Sequence, residues 1–182
     1  MKHFRQFMLV GTIGASLSLN ALTTYAIENH KAHVHGVAKL TLAMENSTHA
    51  EIDLDVPGDS IFGFEHKATS SADKKSQAAG FSKLREQAQS VIQFDPSLGC
   101  AVSVKKVEIE KEESGSGEHS DVNASYSVEC KKPLSGTKLT MGLIRLFPKI
   151  KNVSLQILSS IGQTQKTVHD SSEIITLPDE SI

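Results

Sequence analysis

The chain has no tryptophan, and aromatic residues make up only 5% of it. A platform that stacks sugars or nucleobases on aromatic faces therefore has little to be built from. There is also no strong charge of either sign. Lys2 and Arg5 lie in an N-terminal segment that reads as a removable signal. Without them, 17 of the 19 basic residues stand against 21 acidic ones, a formal charge near −4. That balance gives no electrostatic footing for nucleic acid. No Gly-x-Ser-x-Gly elbow, His-Glu-x-x-His helix or phosphate-cradling glycine loop is found in the sequence, so enzyme chemistry is hard to assemble. No second long apolar run follows the first, which is Phe7 to Leu22 and short for a membrane-spanning helix.

That first run follows Lys2 and Arg5 and precedes Thr24-Tyr25-Ala26, a small-x-small site. The pattern is that of a secretory signal over residues 1–26, with Ile27 as the new N-terminus; an uncleaved anchor is the alternative. No cysteine stands at the junction to take a lipid. About 156 residues remain, enough for one domain with its own core over 27–182. Its only cysteines, Cys100 and Cys130, form an even count suited to an oxidising compartment.

Period-2 alternation marks strands over 33–44 and 50–56, joined by the short polar link 45–49. Placing Leu42 opposite Ile52 and Leu40 opposite Leu54 sets Lys39 opposite Asp55 and carries the chain after Pro57 back toward the first strand. Ser70-Ser71-Ala72-Asp73 reads as a helix start with an acidic N3 residue, and Phe81, Leu84 and Ala88 continue at helical spacing until Pro96 and Gly99. Cys100, Val102 and Val104 alternate, then shift phase at Lys105-Lys106, as at a β-bulge. Antiparallel pairing with Val122 to Cys130 sets Val102 against Val128, Val104 against Tyr126 and Cys100 against Cys130. A cross-strand disulfide follows from that register, with free buried thiols or a cysteine metal site as the other readings. Later segments include a turn at Ile144 to Pro148, a strand around Val153 to Ile157 and a partner strand after Gly162; from Pro178 on, fraying is expected. The expected architecture is α+β: an antiparallel sheet of two or more hairpins packed by one long helix, with a second short helical element. A polar loop of Glu, Ser and Gly spans 111–120.

The residues with chemistry to offer are histidines. In a strand, His33 and His35 would project from one face as a preorganised ligand pair for a borderline ion such as zinc. A solvated surface pair is the other reading. Returning through the hairpin, Gly63-Phe64-Glu65-His66 approaches the same end, and His119-Ser120-Asp121 repeats the alternate-residue spacing before another strand. His30 would be a flexible extra ligand. His49 reads as a hairpin-turn residue and His169 as a surface residue, neither with a partner apparent in sequence. For a metal hydrolase the one general-base candidate is Glu65, beside His66.

Taken together, His33-Val34-His35-Gly36-Val37-Ala38-Lys39-Leu40, Pro57 with Gly63-Phe64-Glu65-His66, the paired cysteines, His119-Ser120-Asp121 with Tyr126, and Leu146-Phe147-Pro148 resemble the ZrgA-like family of periplasmic zinc-uptake proteins. The resemblance implies a zinc-binding protein of the Gram-negative periplasm, working with an inner-membrane zinc importer and not itself an enzyme. Members typically carry a His-rich stretch just before the His-x-Asp motif; here residues 111–119 contain one histidine, His119. The implied ligand set is His33, His35, His66, His119 and Asp121, in one site or two, with Cys100 and Cys130 committed to a disulfide. The rival class is an envelope interaction module in which these histidines are incidental.

Overall fold

The computed structural model describes residues 34–111 and 120–180. The expected signal segment, His30, His33 and His119 lie outside the described residues. Among these residues nine strands occur: β1 Val37–Met44, β2 His49–Pro57, β3 Gln93–Phe94, β4 Ala101–Lys111, β5 Ser120–Glu129, β6 Lys138–Thr140, β7 Asn152–Ser159, β8 Gly162–Val168 and β9 Ile175–Thr176. The helices are α1 Gly58–Phe62, α2 Ser71–Glu86, α3 Ala88–Val91 and α4 Leu143–Leu146.

The strands form a six-stranded sheet in the order β4-β5-β2-β1-β7-β8 and a three-stranded sheet in the order β3-β6-β9. The expected hairpin registers are present. Leu40 faces Leu54, Leu42 faces Ile52 and Lys39 faces Asp55. Val102 faces Val128, Val104 faces Tyr126, and the register shifts between Val104 and Lys106. A disulfide joins Cys100 to Cys130.

The α+β expectation is overturned. The molecule is mostly β, its large sheet is mixed because β1 and β7 run parallel, and three of the four α-helices among the described residues have five residues or fewer. The expected single long helix is interrupted at Gln87, and α2 buries only Gly80 and Leu84. Its start is as expected: Ser70 is the N-cap and forms a reciprocal capping box with Asp73. Alternation identified the strands but not their directions, because a parallel pair and an antiparallel pair bury the same alternating face.

One core covers the apolar face of the large sheet. Leu40, Leu42, Ile52, Leu54, Tyr126 and Leu155 are at most 2% exposed and cluster with Leu84, Leu139, Met141 and Ile150 from outside that sheet. The Tyr126 hydroxyl donates to the Leu84 carbonyl at 3.4 Å, tying α2 to the sheet centre. Gly80 lets α2 pass close to α1, since a Cβ there would lie 2.8 Å from Ile61 Cγ2. Edge strand β4 is partly shielded by Gln89, whose Oε1 accepts from Val102 N and whose Nε2 donates to the Cys100 carbonyl. Residues 178–180 are anchored rather than frayed. Glu180 accepts from the Ser160 amide and hydroxyl, and Gly136 N donates to the Pro178 carbonyl.

Candidate metal centre

Two of the described histidines, His35 and His66, lie at the open end of the β1–β2 hairpin. Strand β1 begins only at Val37. His35 and Gly36 form a turn instead, so the expectation that His35 projects from a strand face is corrected. Gly36 has φ 77°, a left-handed conformation that side chains disfavour, and its carbonyl accepts from the amides of Lys151 and Asn152 at the start of β7. The strand therefore cannot continue backward through Gly36 in the same phase, and His35 is held at the rim with its side chain 65% exposed.

From Pro57 the chain enters α1, which ends at Gly63 in a left-handed C-cap. The next residues are fixed by ring packing and one hydrogen bond. Phe62 and Phe64 have ring centroids 4.7 Å apart, and the His66 ring stacks on Phe64 at 4.7 Å. Ser120 Oγ donates to the Glu65 carbonyl at 2.8 Å, pinning this segment to the first residue of β5. Asp121, the next residue, pairs with Pro57 across the β2–β5 ladder.

This arrangement places the Glu65 carboxylate, 9% exposed, with Oε1 3.4 Å from His35 Nδ1. With a carboxylate beside Nδ1, Nε2 is the nitrogen of His35 left open to a metal, and a carboxylate in that place is the usual support for a ligating histidine. His66 has a similar arrangement, because its Nδ1 lies 3.1 Å from the Lys67 carbonyl, which can only accept. Asp59, earlier on the same return segment, is ion-paired to Lys149 at 2.8 Å.

The structure thus brings His35, Glu65 and the Ser120-Asp121 start of β5 to one end of the sheet. His66 is at the same end but exposed, and it contacts Phe64 and Lys67. Sequence reasoning treated Glu65 only as a possible general base and missed its contact with His35. The signal available was the return of the chain after Pro57. It also missed the group Glu45, His49 and Glu51 at the other end of the hairpin, whose candidate donor atoms lie within 4.8 Å of one another. The i, i+4 spacing across the turn and the i, i+2 spacing along β2 could have found that group.

No helix among the described residues is long and apolar enough to cross a membrane. Comparison with curated proteins finds no match. The family described as ZrgA family zinc uptake protein matches residues 32–177, which include all five expected ligands, both cysteines and Glu65. That description names zinc uptake rather than a catalysed reaction. With four-fifths of its length matched, from just before His33 to the end of β9, the chain belongs to the ZrgA family of zinc uptake proteins.

Proposed function

We propose that this zinc uptake protein is exported through a cleaved signal, works in the periplasm as the single domain 27–182, and presents zinc to an inner-membrane importer. Zinc is its cargo. The ligands are drawn from His33, His35, His66, His119 and Asp121, with Glu65 orienting His35. One observation carries this reading: His35 Nδ1 meets the sheltered Glu65 carboxylate at 3.4 Å, on a segment clamped to β5 beside Asp121. A solvated surface histidine has no need of such support.

With both cysteines in the disulfide, the site offers nitrogen and oxygen donors alone. Imidazole must lose its proton to bind, so affinity falls as pH drops. A carrier that hands zinc on can release it more readily from such a set than from thiolates.

Calorimetric zinc titration of the metal-stripped protein tests this. His33→Ala/His35→Ala should abolish the tighter binding phase. Glu65→Gln, which keeps size but removes the charge on Nδ1, should weaken that phase about 10- to 100-fold, the usual loss when a supporting partner is removed. Wild-type affinity in the double variant would sink the proposed site. Unchanged growth of a deletion strain under zinc chelation would sink the transport role.

A further inference from the structure

The turn of the β1–β2 hairpin is built more rigidly than a solvated loop requires. Asn46 Oδ1 accepts from the amides of Thr48 and His49, both at 3.0 Å, and the His49 carbonyl accepts from Glu45 and Asn46. Two further bonds fasten the turn to the disulfide residue Cys130 and the chain just after it: Cys130 N to the Thr48 carbonyl at 2.9 Å and Leu134 N to the Ser47 carbonyl at 2.7 Å. Glu45 and His49 thus flank a fixed turn. Glu51, two residues further along β2, shares a face with His49.

Three donor atoms converge there. His49 Nε2 lies 3.4 Å from Glu45 Oε2 and 3.3 Å from Glu51 Oε1. A tetrahedral ion with bonds of about 2.0–2.1 Å has its ligands about 3.3–3.4 Å apart. Both separations match that edge. His49 and Glu51 are half-buried, with side chains 23% and 18% exposed, and Ser127 Oγ from β5 lies 3.4 Å from the same nitrogen. A cation already sits on the group: the Lys105 ammonium is paired to Glu51 Oε1. Burial pulls the Glu51 carboxyl up, but Lys105 and His49 outweigh it and hold the carboxyl below its usual range. Lys105 is itself 54% exposed and can swing away.

We propose that Glu45, His49 and Glu51 form a second, weaker divalent-cation site, occupied by the Lys105 ammonium until a metal displaces it. One imidazole and two carboxylates suit zinc and leave a position open to water or a transferring ligand. Eight residues of β2 separate His49 from Pro57, about 26 Å at 3.3 Å per residue, so this site cannot share an ion with the centre at the open end. The proposal does not depend on that centre, and its test runs in both backgrounds.

The experiment is zinc titration by calorimetry of the metal-stripped protein, wild type and His35→Ala, each with and without His49→Ala. The expected result is one fewer equivalent in each His49→Ala protein, the one lost being of lower affinity. His49→Gln, whose amide keeps hydrogen bonds but ligates poorly, should lose the same equivalent while melting within a few degrees of wild type. Lys105→Met, which removes the resident cation, should tighten the weaker phase about two- to five-fold, the range of an exposed ion pair. Equal equivalents with and without His49, or a weaker phase indifferent to Lys105, would overturn the site and leave a plain ion-pair cluster.

Discussion

Replacing Cys100 and Cys130 with serine should destabilise the protein almost wholly through its unfolded state. The bond joins residues 30 apart, at the open end of the β4–β5 hairpin, where ten residue pairs already hold the strands in register. Gln89 grips the same place through the Cys100 carbonyl and the Val102 amide, so the folded chain has little to lose locally. In the unfolded chain, opening a loop of that length restores conformational freedom worth about 3.5 kcal/mol at 25 °C. For a domain near 150 residues this corresponds to a melting-temperature drop of about 7–14 °C. Urea titration followed by far-UV circular dichroism measures it, and the double serine variant should show a lower midpoint with a steeper slope, because the released chain exposes more surface. A midpoint equal to that of the oxidised protein would refute the reasoning. A lower midpoint without a steeper slope would place the effect in the folded state instead.

Gly36→Ala should cost about 1–2 kcal/mol, because φ 77° is a left-handed conformation and the new Cβ would stand 3.2 Å from the Lys149 carbonyl. It should also weaken zinc binding by displacing His35; thermal melts and zinc titration of one preparation check both, and an unaltered melt would disprove the strain. The capping box predicts an acid-side effect. Hydrogen bonds from the Ser70 side chain and amide hold the Asp73 carboxyl below its ordinary range. A folded-state pKa lower than the unfolded one contributes stability above about pH 4 and loses it as pH falls through the depressed value. Asp73→Ala should therefore melt below wild type at pH 7, with the gap closing toward pH 3; a pH-independent gap would contradict the assignment.

Much of the fold was legible in the chain itself. Side chains alternate with period two, and a slip of one residue would turn Leu40, Leu42, Ile52 and Leu54 to solvent together, so the register of each short-looped hairpin is strongly specified. The same logic located the bulge at Lys105 and set Cys100 opposite Cys130. The histidine motif was less legible, because a left-handed glycine is silent in a hydrophobicity pattern. Gly36 delayed the start of β1 to Val37, four residues later than alternation over 33–44 implied, and left His35 in a rim turn rather than on a strand face.

What the sequence determined by itself is local: the two hairpins and their registers, the cysteine pairing, the capped start of α2 and the family motifs. Each rests on residues close along the chain or on a repeat that one burial face enforces. The tertiary structure alone decided that β7 runs parallel beside β1, that β5 pairs with β2, and that a second small sheet joins the helices over the core. It alone set Glu65 behind His35, and Lys105 over Glu51 across the strands. Those outcomes depend on which alternating strands become neighbours, and strands that bury the same kind of face do not name their partners.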